Sequence, residues 1–388
     1  MRLYLSILIS LVCVNTFAQN ENSDSTRSLK EVFQLRGYLK NMQTVSAAPG
    51  LLTTDNLIHN RLALRIYPND AFTIGVEGRN RIIWGETIKA IPGYAQLFNT
   101  DNGLLDLTTN IEQNDKIVIN STLDRLWLDW SKGNWNIRAG RQRINWGINT
   151  FWNSNDIFNA FNFTDFDYQE RAGSDAIRFE RFFDGMNSFQ VAASQGKDTN
   201  STIAAMLYKF NTNSYDFQVL AGWYKTDYVV GGGWAGNIKE ASFKGEVAYF
   251  HPSEKIDSVG ILNMSVSTDI IVNSKNYTSI GILLNSNGLT SLGVGNAGLI
   301  NYQVSPKELM PTKYNFLTSH SITLSPLTSL SVILLYSPAA HYTLLMPTFS
   351  YSLTTAWDLS IVAQSSFVDL GSYSNIGNAF FARLTWNF

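Results

Sequence analysis

Apolar and polar residues alternate along most of this chain, in stretches of about ten residues separated by turn-forming residues. In the first clear example, Leu62, Leu64 and Ile66 lie on one face and Arg61 and Arg65 on the other. A second alternating stretch follows directly after a turn rich in Pro, Asn and Asp. A period of two residues is typical of β-strands whose two faces meet different surroundings. The pattern therefore predicts a hairpin here and an all-β fold.

The same pattern predicts about 18 strands over the whole chain, with 16 as the alternative. The predicted strands are 33–42, 59–67, 71–83, 121–130, 134–143, 175–183, 187–195, 202–210, 215–225, 228–236, 240–250, 260–271, 276–285, 314–324, 328–337, 342–354, 357–367 and 376–388. With an even number of strands, both chain ends lie on one side, and the short connections fall on that side too. The long segments 43–58, 84–120, 144–174 and 286–313 fall on the other side. We expect a single closed antiparallel transmembrane β-barrel over residues 33–388.

The N-terminus has the composition of a secretory signal peptide. Arg2 precedes an apolar run from Leu3 to Val14, and Thr16 and Ala18 supply the small residues of a cleavage site. We therefore predict a signal peptide over residues 1–18 and a short periplasmic leader over 19–32. The single cysteine, Cys13, lies within the apolar run and follows a valine instead of a small residue, which argues against a lipoprotein. Cleavage would leave no thiol in the mature chain.

Composition narrows the function classes. The chain has 45% hydrophobic residues, 15% charged residues, a formal net charge of -2 and a mean hydropathy of -0.07. That hydropathy is low for a helical membrane protein but suits a barrel in which every second residue meets lipid. Basic residues are interleaved with apolar ones, so no nucleic-acid partner is expected. The four histidines are scattered and no metal-binding or phosphate-binding motif is present, so we predict no cofactor, no metal site and no enzymatic activity.

The last stretch alternates strictly and ends on an aromatic residue. Phe380, Leu384, Trp386 and Phe388 share its apolar face, and Arg383 lies on the other. This stretch resembles the C-terminal recognition strand of bacterial outer-membrane proteins, which the barrel insertion machinery recognises. The resemblance implies an outer-membrane location in a Gram-negative bacterium and an assembly signal at Trp386 and Phe388. Since a sheet in lipid cannot keep an open edge, strand 376–388 should pair with strand 33–42.

Residues 138–147 form the most distinctive motif, Arg-Ala-Gly-Arg-Gln-Arg-Ile-Asn-Trp-Gly. It resembles a strand end of porin-like families such as the alginate-export and carbohydrate-selective porins. The resemblance implies a porin-like superfamily but no particular solute. The alternation breaks at Gly140, so Arg141 and Arg143 face the lumen only if a bulge at Gly140 turns them inward. The alternative is that both arginines lie above the hydrocarbon.

The polar strand faces supply candidates for the lining of a pore. The candidates are Arg61, Arg65, Arg79, Arg125, Arg138, Arg178, Glu77, Asp129, Glu180 and Arg383. Positive groups are in excess, and arginines along a pore favour anions. The alternative interpretation is that these charges only cross-link a polar interior.

The long segment 144–174 is rich in Asn, Asp and aromatic residues, so we expect it to fold into the pore mouth. Its candidate constriction residues are Trp146, Trp152, Asp156 and Asp165. These side chains would line a sugar path or, alternatively, pack against other loops.

Taken together, the patterns predict a porin-like channel for passive diffusion of small hydrophilic solutes, anionic or sugar-like. The expected partners are outer-membrane lipid, the barrel insertion machinery and the solutes, and the oligomeric state stays open. The alternatives are a non-conducting structural or adhesin-type barrel and an outer-membrane hydrolase.

Overall fold

A computed structural model describes residues 29–161, 173–254, 257–291, 304–369 and 371–388. These residues form one 19-stranded antiparallel sheet that closes on itself. The strands are β1 (Phe33–Ala48), β2 (Leu51–Ile66), β3 (Phe72–Gly85), β4 (Thr108–Gln113), β5 (Ile117–Lys132), β6 (Trp135–Gln142), β7 (Ser174–Phe182), β8 (Ser188–Ser194), β9 (Ile203–Thr212), β10 (Tyr215–Tyr224), β11 (Asp227–Ile238), β12 (Ala241–Pro252), β13 (Ile261–Asn273), β14 (Asn276–Asn285), β15 (Tyr314–Ser325), β16 (Thr328–Ser337), β17 (Tyr342–Ser352), β18 (Trp357–Asp369) and β19 (Tyr373–Asn387). Short helices are α1 (Leu29–Val32), α2 (Thr87–Ala90) and α3 (Tyr94–Leu97). The predicted signal peptide, residues 1–18, lies outside the described residues.

Eighteen of the strands form the barrel, which confirms the predicted fold class and selects 18 strands over 16. The additional strand, β4, pairs only with β5 and continues the wall above the end of β6. Closure occurs where predicted, because β19 pairs with β1 from Tyr38↔Asn387 to Ala47↔Asn378. The backbone groups of Gly37 and Phe388 add two hydrogen bonds of 2.9 and 3.0 Å at the seam. Each of the 18 barrel strands thus has a neighbour on both sides, as a lipid-embedded sheet requires.

The two faces of the wall differ as the alternation predicts. Apolar side chains such as Leu128, Val219 and Ile282 are exposed on the outer face, at 46%, 50% and 46% of their surface. Their polar neighbours point into the barrel, where residues such as Asp129 and Gln218 are buried. No helix among the described parts of the chain is long and apolar enough to cross a membrane.

The segment 43–58, predicted to be a long connection, is instead paired strand. β1 and β2 stay in register up to Ala48↔Leu51, and the turn between them holds Gly50 at a φ of +78°. The prediction was wrong because residues at the loop end of the barrel, opposite the short turns, meet polar surroundings on both faces. Alternation is therefore not required there although the backbone still pairs.

The predicted bulge at Gly140 is also corrected. β5 and β6 keep an unbroken register up to Leu126↔Arg141, so no residue is inserted at Gly140, which takes a φ of +113°. The bulge lies on β5 instead. There the register to β3 shifts between Glu77 and Gly78, leaving Asp124 as the extra residue. A bulge brings two successive side chains to one face, and both Asp124 and its neighbour Arg125 are buried.

Candidate functional site: the barrel interior

The inner face of β2, β3 and β5 carries a buried network of ion pairs. Arg61 contacts Glu77 at 2.6 Å and Asp124 at 2.5 Å, and its side chain is only 5% exposed. Arg65 is the second partner of Glu77, and Arg79 lies 3.5 Å from Asp124. Three arginines thus share two carboxylates. An arginine stays protonated at ordinary pH, so this part of the wall keeps a positive excess.

Trp127 on β5 lies between two of the predicted pore-lining arginines. The guanidinium groups of Arg65 and Arg138 lie 4.7 and 4.1 Å from its ring centre. Arg138 also donates to Asp129 at 2.7 Å. The side chains of Arg65 and Arg138 remain 30% and 26% exposed, in contrast to Arg61. These two arginines are therefore the members of the network that remain open to water and solute.

The polar network continues onto β7 and β8. Arg178 donates to Asn136 at 2.7 Å and lies 3.7 Å from Glu180. Glu180 in turn accepts a bond of 2.6 Å from Gln190. On the far side of the seam, Arg383 donates to Ser360 at 3.0 Å. All ten predicted pore-lining residues lie on the barrel strands, and the structure joins eight of them through their side chains, together with Asp124, in this network on β2 to β8. Arg125 donates to the backbone oxygen of Asp124 at 3.0 Å.

Asp124 is the member of this ion-pair network that sequence analysis missed. Strict alternation places it on the outer face, because Leu126 and Leu128 two and four positions later face lipid. Two adjacent charged residues in an otherwise alternating strand were the available signal for a bulge.

Residues 143–161, hereafter the inner segment, lie against the inner wall of the barrel. The indole nitrogen of Trp146 donates to Gln190 on β8 at 2.9 Å, and Gln218 on β10 donates to the backbone oxygen of Trp146 at 2.6 Å. Further along, Asn149 donates to Ser265 on β13 at 2.7 Å. These wall residues belong to the inner, polar faces of their strands, so the inner segment lies within the barrel.

Apolar contacts hold the inner segment on both sides. Ile144, Trp146 and Phe158 form a buried cluster with inner-face residues of β7 to β12 such as Leu207 and Phe250. Trp152 packs into a second cluster contributed by later strands and by the connection between β14 and β15. That cluster contains Leu283, Leu309, Met310, Leu317, Leu335 and Leu344. The inner wall of the barrel is therefore partly apolar where the inner segment covers it.

The predicted constriction residues are buried by this arrangement. Trp146 and Asp156 are 0% exposed and Trp152 is 3% exposed. Their burial favours the packing interpretation over side chains that line a sugar path. Asp165 lies outside the described residues.

Two further segments complete the mouth of the barrel. In the rim segment, residues 86–107, Asp101 pairs with Arg141 at 2.6 Å. In the cover segment, residues 304–313, Pro306 accepts a bond of 2.6 Å from Asn263 on β13. A cavity of about 660 Å³ lies between the inner, rim and cover segments and the wall. Its lining includes Arg79, Arg81, Asp101, Asp124, Arg141, Asp175 and Lys197.

The described residues contain no cluster of three or more His, Cys, Asp or Glu side chains placed to hold a metal ion. The four histidines lie apart from one another. His59 contacts Tyr38 at 3.4 Å, His251 contacts Tyr249 at 3.2 Å, His320 contacts Thr278 at 2.8 Å, and His341 contacts Tyr336 at 3.5 Å.

The predicted assembly signal lies on the outer face at the seam. Trp386 and Phe388 are 39% and 45% exposed, and their ring centres are 4.9 Å apart. Trp357 on β18 stacks on Trp386 at 6.1 Å. The aromatic side chains therefore form an exposed group at the end of the last strand.

The closed wall, its apolar outer face and its polar interior define the fold of an outer-membrane β-barrel. No protein-family model matches the sequence, and a search of curated proteins finds no match. Solved structures do match. OccAB4 of Acinetobacter baumannii is 10% identical, with 92% of this chain and 98% of that chain covered and a TM-score of 0.59. OprD of Pseudomonas aeruginosa is 8% identical, with 95% and 99% covered and a TM-score of 0.58. The outer membrane protein opdK of the same species is 6% identical, with 92% and 99% covered and a TM-score of 0.58. At these identities the likeness establishes the shared fold.

Proposed function

We propose that this protein is a passive outer-membrane channel for small hydrophilic solutes, with a preference for anions. The observation that carries the proposal is the arginine-rich inner wall of β2 to β7, in which Arg65 and Arg138 keep part of their side chains exposed. A positive wall offsets part of the desolvation cost of an anion that leaves bulk water. The likeness of the fold to outer-membrane proteins supports the location and the channel role.

The route of the solute follows from where the inner segment lies. This segment covers the inner faces of β8 to β14 and packs against inner-face leucines of β15 to β17, so the remaining passage runs beside the arginine-rich strands. The cavity at the mouth adjoins these same strands through Arg79 and Asp124. A solute on this route would pass the exposed guanidinium groups of Arg65 and Arg138 on either side of Trp127.

Single-channel recording under a salt gradient in a planar bilayer tests the proposal. We expect anion selectivity in the wild type and a shift towards cation permeability in Arg65→Ala and Arg138→Ala, because each change removes one positive charge beside the passage. Lys275→Ala, in the exposed turn between β13 and β14, is the matched control and should leave the selectivity unchanged. Cation selectivity of the wild type would overturn the charge argument. A complete lack of conductance would favour the non-conducting structural or adhesin-type barrel.

We do not propose an enzymatic role. Three of the four histidines lie on separate strands and His341 lies between β16 and β17. Each contacts a hydroxyl group of Tyr or Thr, which does not resemble the nucleophile and base arrangement of a hydrolase.

We also propose that the insertion machinery recognises the exposed aromatic group at the end of β19. Deletion of Phe388 should lower the amount of heat-modifiable barrel in the outer membrane, since it removes the last apolar side chain of the alternating strand. Deletion of the exposed Leu29, shortly before β1, serves as the control. An unchanged amount of barrel after the Phe388 deletion would contradict this role.

A further inference from the structure

The carboxylate of Glu246, in the middle of β12, is 0% exposed and binds backbone of the inner segment. One oxygen accepts from the amides of Ile148 and, at 2.8 Å, of Asn149. The other oxygen accepts from the amide of Asn155 at 2.9 Å. A single side chain of the wall thus holds two separate stretches of the inner segment by their backbone. Such bonds to a carboxylate are about twice as strong as bonds between neutral groups.

Glycines on the inner wall leave the space in which the segment lies. Gly233 is directly opposite Glu246 in the β11–β12 register. A Cβ atom on Gly233 would lie 2.9 Å from Cδ1 of Ile148, and one on Gly231 would lie 2.6 Å from the side-chain oxygen of Asn155. A side chain at either position would therefore force the side chain of Ile148 or Asn155 to move.

The same relation occurs on a separate strand. A Cβ atom on Gly281 of β14 would lie 2.6 Å from the ring of Phe151. In contrast, Gly232 between the two inner glycines belongs to the outer face, and the nearest atom to its Cβ would be a backbone oxygen of the neighbouring strand at 3.2 Å. Of these four glycines, only the three on the inner face would bring a Cβ atom against the inner segment.

We propose that Glu246 and the inner-face glycines Gly231, Gly233 and Gly281 form a fixed seat for the inner segment, and that this seat sets the width of the solute passage. The seat combines an anchor for the segment's backbone with positions that have no side chain, so the segment lies directly on the wall. In this arrangement the segment is a permanent part of the channel wall and does not open and close as a gate. The statement about width rests on the proposed channel function, whereas the seat itself does not.

A thiol reporter tests the seat without relying on conductance. The only cysteine is Cys13, in the predicted signal peptide, so Ser154→Cys in the inner segment introduces a single thiol into the mature chain at a position that is 0% exposed. In an otherwise wild-type barrel this thiol should react slowly with a membrane-impermeant maleimide. Glu246→Gln, which keeps the shape of the side chain, should raise the labelling rate about tenfold or more. Loss of hydrogen bonds to a buried charge shifts a local opening equilibrium by at least that order.

Glycine variants provide the matched comparison. Gly231→Val and Gly233→Ala should also raise the labelling rate, while Gly232→Val on the outer face should not. Heat modifiability verifies that each variant is a folded barrel, and Gly233→Ala adds only one methyl group in case the larger change prevents folding. In the same preparations, the single-channel conductance should increase in Glu246→Gln and Gly231→Val.

The outcomes separate the two proposals. Unchanged labelling in folded Glu246→Gln and Gly233→Ala would overturn the seat, and so would an equal rise in Gly232→Val. A rise in labelling in barrels that never conduct would support the seat and overturn the channel. A wild-type thiol that already reacts fast, together with a fluctuating conductance, would show a mobile gate and overturn the fixed seat.

Discussion

Two parts of the barrel wall form a polar inner face with different side chains. Strands β2 to β7 carry arginines and carboxylates on their inner face and join them in ion pairs. Strands β14 to β17 contain no Asp, Glu, Lys or Arg at all. Their inner face consists mainly of Ser, Thr and Asn together with apolar residues, among them the leucines that pack against Trp152. The outer faces of both parts are apolar, so the difference belongs to the interior alone.

The comparison shows that a polar interior does not require charge. Small hydroxyl and amide groups satisfy one another locally, as when Ser337 donates to Asn315 at 2.5 Å. Charged groups need partners or solvent, and in β2 to β7 they have both. The charges are concentrated on the part of the wall that the inner segment leaves uncovered. There they would interact electrostatically with a passing solute.

The largest expected effect in this comparison is the loss of stability in Arg61→Ala. The change leaves Glu77 and Asp124 buried with fewer partners, and breaking a buried ion pair costs about 3–5 kcal/mol, so we expect a loss near the lower end of that range. Arg65 and Arg79 remain to compensate part of the cost. Urea unfolding of the barrel in detergent micelles gives the free energy. Ser331→Ala on the inner face of β16 is the control and should cost less than about 1 kcal/mol. Equal losses would mean that the two parts of the wall do not differ energetically.

A smaller effect is expected when charge is added to the uncharged strands. Val332 lies on the outer face in the middle of β16, and Ser331 lies on the inner face beside it. An arginine facing lipid near the bilayer centre costs about 2–4 kcal/mol, so Val332→Arg should unfold at lower urea than wild type in lipid vesicles.

Ser331→Arg places the same charge in the polar interior and should lose markedly less stability. Because the two positions are adjacent, this pair of variants separates the effect of which face carries the arginine from the effect of its charge. If Ser331→Arg were as destabilising as Val332→Arg, the interior beside β14 to β17 could not accommodate a charged side chain. The contrast with β2 to β7 would then be due to tight packing of that interior.

The same physics explains what the sequence predicts and what it does not. Within the bilayer, lipid on one side and polar groups on the other impose alternation, so strands such as β2 and β19 are visible in the pattern. Above the bilayer this constraint disappears, and the pairing of 43–48 with 51–58 leaves no periodic trace. At Asp124 a bulge shifts the phase by one residue, and simple alternation then assigns the wrong face.

The arrangement inside the barrel was predicted only in outline. The aromatic content of 144–174 indicates a segment that avoids water, but its partners are distant in sequence. Glu246 lies 97 positions from Asn149, and Ser265 lies 116 positions from it. No local pattern encodes such a pairing. The three glycines of 231–233 are visible in the sequence, yet two of them acquire a role only once the inner segment lies against them.

The position of Glu246 also orders the events of folding. The inner segment precedes β7 in the chain, whereas its hydrogen-bonding partners on the wall lie on β7 to β13 and its apolar partners extend to β17. The surface that receives this segment does not exist until those later strands have paired. Trp146 and Trp152 therefore lack most of their packing partners until most of the wall has assembled. Docking of the inner segment is thus a late step, and a barrel that has closed at β1 and β19 has still to complete its interior.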